Sequence, residues 1–123
     1  AKGVEAVRFL EAIQSLVGGG RCVLTKGLQK MGTLTADRHI GWEDDEGVYL
    51  VADLAMKEAL KLLGQNALGD VSQMKINAQL LELGHIAKTD PSGKIPVTKK
   101  CSGKPQRVIH LRKEAIYIPD VDD

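Results

Sequence analysis

The sequence is short of aromatic side chains. Its 123 residues include one phenylalanine, two tyrosines and one tryptophan, 3% of the chain. The core must therefore be aliphatic, and the aromatic platforms on which single-strand binders stack a run of bases are nearly excluded. Cysteine is scarce too. Cys22 and Cys101 lie far apart in the sequence, and neither stands at zinc-ligand spacing from His39, His85 or His110. Two reduced thiols in a cytoplasmic protein are the expected state. No apolar run approaches the length of a membrane span, and no secretory pattern is visible, so no membrane partner is expected. The chain opens at Ala1 without a methionine and closes on "PDVDD", and the expectation is a domain cut from a longer protein.

What is present is an ordinary globular composition, 43% hydrophobic and 27% charged, at a length suited to one domain with one modest core. Net charge is +1, which by itself names no partner. Its distribution is more informative. Residues 1–70 hold 8 basic and 10 acidic side chains, whereas residues 85–113 hold 8 basic ones and a single acid, Asp90. A local excess of that size is the electrostatic footprint of a polyanion binder. The bland alternative is a solvated hairpin whose lysines deter edge-to-edge pairing.

The first periodic segment is "VEAVRFLEAIQSLVGGG". Ala6, Phe9, Leu10, Ile13, Leu16 and Val17 share one helical face, and Arg8, Glu11 and Ser15 lie opposite. Gly18, Gly19 and Gly20 stop the helix. No Lys-Ser or Lys-Thr pair follows at phosphate-loop spacing, so the glycines read as a stop and not as a phosphate cradle. "RCVLTK" is a short strand. In "HIGWEDDEGVYLV", two strands flank a turn at Asp45-Glu46-Gly47. The acids Glu43 to Glu46 lack the alternate spacing and central glycine of a hard-metal loop. They read as a solvated turn pointing away from any nucleic acid.

Asp53 is the expected N-cap of "LAMKEALKLLG", with Met56, Ala59, Leu60 and Leu63 buried. Ser72 caps "QMKINAQLLELG". Ile76, Leu80 and Leu83 form one apolar stripe of that helix, and Met74, Ala78 and Leu81 form a second. Lys75, Gln79 and Glu82 lie between them. "HIAKT" then reads as a strand, "DPSG" as a type I turn, "IPVTKK" as a returning strand, and "RVIHL" as a closing strand. Two consecutive helices followed by a basic β-wing make the winged-helix plan. The expected fold class is α+β, a winged helix-turn-helix with an added N-terminal helix and β-hairpin. Residues 1–118 form the domain and 119–123 an acidic tail.

The runs "FLEAIQSLV", "HIGWEDDEGVYLV", "LLELGHIAK" and "GKPQRVIHLRKEAI" resemble the C-terminal winged-helix domain of helicase-like replication proteins on mobile elements. They are also similar to the corresponding domain of relaxases from integrating conjugative elements. The resemblance spans roughly residues 7–116, rests on hydrophobic and glycine positions, and is not carried by residues 27–37. It implies an accessory DNA-binding or docking domain of a larger motor or nickase. It transfers no catalytic residue.

Nothing in the sequence assembles a nucleophile, base and orienting group, nor a paired-carboxylate site. His110 reads as a strand-face residue and Cys101 as a bystander among cations. The expected function is a non-catalytic DNA-binding module, for single or double strands, without metal or cofactor. Its expected contacts are Lys94, Lys99, Lys100, Lys104 and Arg107 on the wing and Lys75 and Gln79 on the second helix. The catalytic domains of the parent protein are a second expected partner, and protein docking or oligomerisation is the alternative function.

Overall fold

The computed structural model describes residues 3–26, 39–64, 72–93, 95, 97–101 and 104–117, with Lys100, Cys101 and Lys104 described by backbone alone. The expectations for residues 27–37 and 119–123, and for the loop between the two central helices, fall outside these. The chain is mixed α+β. In order, the elements are α1 (Val4–Gly18), β1 (Val23–Lys26), β2 (His39–Asp44), β3 (Gly47–Val51), α2 (Ala52–Leu63), α3 (Gln73–Glu82), β4 (Val97–Cys101), β5 (Lys104–Leu111) and α4 (Lys113–Ile116).

The expected helical face of α1 is the buried one. Phe9 and Ile13 are fully buried, with Ala6, Leu10 and Leu16 beside them. The helix stops at its glycines, with Gly19 N donating to Ser15 O at 2.9 Å. Ala55 and Ala59 of α2 and Ile76 and Leu80 of α3 complete the same cluster, together with Leu50, Ile109 and Leu111 of the sheet. The helices thus cover one sheet face, and an aliphatic core fills the space between. At the far end, α4 is tied back by Gln14 Nε2 donating to Ala115 O at 2.7 Å and by the Tyr117 hydroxyl donating to the Glu43 carboxylate.

The five strands run in the order β1-β2-β3-β5-β4. All neighbours are antiparallel except β1 and β2, which are parallel. Parallel neighbours need a crossover of about a dozen residues, and residues 27–38 supply that length. Two glycines let the backbones come this close. A Cβ on Gly41 would stand 2.1 Å from Tyr49 O, and one on Gly47, at φ 147°, would stand 2.4 Å from Leu111 O.

Three local expectations are corrected. The residue capping α2 is Val51, and Asp53 sits in the first turn; an acid there still meets the positive helix end. Leu63 and Leu83 are partly exposed, at 37% and 40%, because one is the last residue of α2 and the other caps α3, past the turns that face the core. The wing is also built differently. "DPSG" does form its turn, with Gly93 N donating to Asp90 O at 2.9 Å, but it does not join two paired strands. Ile86 bridges Leu111 and Val97 pairs with Val108, both on the flank of β5 away from β3. Residues 85–88 and β4 are therefore two pieces of one edge, and 89–93 leave the sheet after the first. The hairpin proper is β4–β5.

Leu80→Ala is expected to lower unfolding stability by about 2–5 kcal/mol, as for other fully buried leucines. Leu83→Ala should cost less than about 1 kcal/mol. Urea denaturation of the two variants checks the orientation of α3, and equal losses would reverse it.

Candidate nucleic-acid interface

The side of the sheet away from the helices carries a second, small cluster of Trp42, Tyr49 and Val108, with Val51 and Val97 packed against it. Strand alternation places Lys99 and His110 on this face as well. The Lys99 ammonium lies 5.5 Å from the Tyr49 ring centroid, a cation–π arrangement. The His110 ring leans on the same tyrosine, with ring centroids 4.3 Å apart. Tyr49 is in turn fixed by its hydroxyl, which donates to Asp44 Oδ1 at 3.0 Å.

Beside these groups the excursion after α3 stands off from the hairpin and leaves a cleft of about 400 Å³. Lys88, Thr89, Asp90 and Pro91 form one wall, and Val97, Thr98, Lys99, Arg107 and His110 form the other. Two permanent cations, Lys88 and Lys99, thus stand near the His110 ring, while Arg107, on the other face of the hairpin by strand alternation, borders the cleft from there. Arg107 is oriented by Nη1 donating to Thr98 Oγ1 at 3.2 Å. The one carboxylate of the lining, Asp90, is engaged in its own turn, accepting from Ser92 N at 3.0 Å and Ser92 Oγ at 2.7 Å. Glu46 approaches Lys99 at 3.9 Å, with both side chains partly in water. The acidic turn therefore abuts the basic hairpin and does not point away from it. That follows from β3 pairing with β5, which brings the end of one hairpin alongside the other.

The expected contact residues separate into groups. Lys99 and Arg107 both border the cleft, from opposite faces of the hairpin. The Lys94 expectation lies outside the described residues, and so do the side chains of Lys100 and Lys104. Lys75 and Gln79 lie elsewhere, on the flank of α3 that faces α1. Gln79 Oε1 accepts from Ala6 N at 3.0 Å, and Gln79 Nε2 donates to Glu5 Oε2 at 3.2 Å. Hydrogen bonds from its own backbone and from Gln79 hold the Glu5 carboxyl below its ordinary range, and nearby Lys75 and Arg8 reinforce this. Gln79 is thus a strut between α1 and α3. Lys88 and His110 join the cleft without having been singled out. For Lys88 the only sequence signal was its membership of the basic stretch. For His110 it was the alternation that put it on the same strand face as Val108.

No known protein family matches the chain, and no curated protein or solved structure is significantly similar to it. Among the described residues, no three His, Cys, Asp or Glu side chains come together as a metal site. No helix among them is long and apolar enough to cross a membrane.

His110 and His39 are 3% and 7% exposed. Burial holds His110 below the ordinary histidine value of 6.5, opposed by its hydrogen bond to Glu46 O and assisted by Lys99 and Lys88. Burial does the same for His39. Both rings take up a proton less readily in the fold than in the unfolded chain, so the unfolded state binds more protons as pH falls below about 6.5. Stability should therefore be full above that value and decline toward pH 5. A urea midpoint that stays level between about pH 7.5 and 5.5 would contradict the shielding of both rings.

Proposed function

We propose that the chain is a non-catalytic DNA-binding module of winged-helix plan, working within a larger conjugation or replication protein of relaxase or helicase type. The observation that carries the reading is a cleft beside the β4–β5 hairpin bordered by Lys88, Lys99 and Arg107, with Lys88 and Lys99 together near His110. The order of elements agrees with it: two consecutive helices, α2 and α3, and then a basic hairpin. Phosphate contacts of this kind position a protein on DNA without reading sequence. Their strength comes from release of the counterions condensed on the nucleic acid. Such work places the protein in the cytoplasm, with the catalytic domains of the parent chain as neighbours.

A second reading, protein docking, is favoured by α3. Met74 is 79% exposed and Leu81 45%, and with Ala78 and Ile95 they line an apolar groove of about 340 Å³.

An anisotropy titration with labelled DNA at several salt concentrations separates the two. Binding should be weak, in the range of about 10⁻⁴–10⁻⁶ M at physiological salt. Replacing Lys99 and Arg107 together by alanine should flatten the slope of log affinity against log salt by roughly two units. An unchanged slope and affinity would remove the cleft as the contact surface and leave docking in its place.

A further inference from the structure

Resting on the DNA-binding reading, we propose that the cleft takes one unpaired nucleotide of a single strand. Its phosphate lies on Lys88 and Lys99, and its sugar and base lie against Val97 and Pro91.

Shape is the first argument. A duplex backbone is followed by a flat or convex basic surface, and a protein element enters a duplex groove from outside. Here the protein supplies the hollow. At about 400 Å³ it stands near the small end of ligand-sized cavities, which begin at about 300 Å³, and has room for one nucleotide unit. A base held in a duplex stack cannot enter such a hollow unless it is unstacked first. An unpaired one can.

Lining is the second argument. A site for an inorganic anion needs only charge and donors. This one sets Val97, itself packed on the Tyr49 cluster, and Pro91 beside its cationic residues. A phosphate joined to a flat, weakly polar ring matches that mixture. The cations of the lining outnumber its one acid, Asp90. Asp90 is occupied by Ser92, and Glu46 is the one acid set against Lys99, in partly exposed contact that an incoming phosphate can displace.

Scarcity of aromatics is the third argument. Trp42 and Tyr49 are buried and give no platform along which successive bases could stack. A strand is therefore gripped at one nucleotide and not along a tract.

The test is a nuclear magnetic resonance titration of the whole chain with a short oligothymidylate, with a blunt duplex of the same strand, and with thymidine monophosphate. The Val97 methyl groups and the His110 ring report the interior, and Lys99 and Arg107 report the edge. The oligothymidylate should shift all four and bind about tenfold more tightly than the duplex, toward the low end of what engaging one base provides. Thr89→Leu narrows the hollow without changing charge, and the wild-type Thr89 hydroxyl makes only a local bond to Asp90 O. It should bring single strand and duplex to equal affinity while leaving the salt slope unchanged. If that variant misfolds, the interior shifts of the parent protein still decide. Equal binding of both DNAs, with shifts confined to Lys99 and Arg107, would overturn the nucleotide site and leave the DNA-binding reading standing. No shifts with either DNA would overturn both. Saturation by thymidine monophosphate at the same concentration as the oligothymidylate would overturn the strand as the ligand's source.

Discussion

The pairing of β5 on both of its flanks is the constraint on which the molecule depends. Val48 to Val51 pair with Leu111 to Val108 on one side, and Val97 to Cys101 pair with Val108 to Lys104 on the other. Strand alternation then divides one short sequence between two tasks. Ile109 and Leu111 enter the core beneath the helices, and Val108 and His110 turn to the opposite face. Without β5 the three N-terminal strands and β4 would be separate pieces, too small to be stable alone. A change at Ile109 is thus felt both in the core and in the placement of Lys99.

The same pairing sets opposite charges side by side. Lys99 is held over the Tyr49 ring and near Glu46, while Glu46 also supplies the carbonyl that receives His110 Nε2 at 3.1 Å. β4 is an edge strand, and lysines on an edge deter pairing with other chains. That function needs only a charge pointing into water. It does not explain why Lys88 and Lys99, from different segments, stand near the same His110 ring, or why Lys99 lies over an aromatic ring. On the DNA-binding reading both features are accounted for. The charges are gathered and partly shielded, so they act on a phosphate more strongly than scattered surface lysines would.

Much of this was legible in the sequence where the signal is local. The face of α1, its glycine stop, the Ser72 cap and the turn at Asp45-Glu46 follow from spacing and from residue types with one dominant backbone preference. The Ser72 hydroxyl accepts from Lys75 N at 3.2 Å, as a cap should. "DPSG" shows the limit of such reasoning. Its turn forms as its residues dictate, yet which strands a turn connects depends on partners far away in sequence. Ile86 and Val97 both answer to β5, and nothing near "DPSG" records that. The parallel contact of β1 with β2 was hidden for the same reason. The cleft was half legible: the basic stretch announced it, while its second wall required the excursion from Lys88 to Pro91 to stand where the sheet places it.

α3 bears most directly on how a DNA-binding reading should be framed. A helix that reads a duplex groove presents cationic and amide side chains toward it. The outward surface of α3 offers Met74, Lys75, Ala78, Leu81 and Glu82, one cation cancelled by one acid beside three apolar residues. Gln79, the amide that could have read a base edge, is spent on Ala6 and Glu5. The hairpin and the excursion, in contrast, gather Lys88 and Lys99 near one ring, with the acid Asp90 engaged by its own turn. On the DNA-binding reading, charge and hydrogen-bond availability therefore favour the hairpin side. That leaves the apolar flank of α3 open to a protein neighbour at the same time, so the two readings concern different surfaces and do not exclude each other.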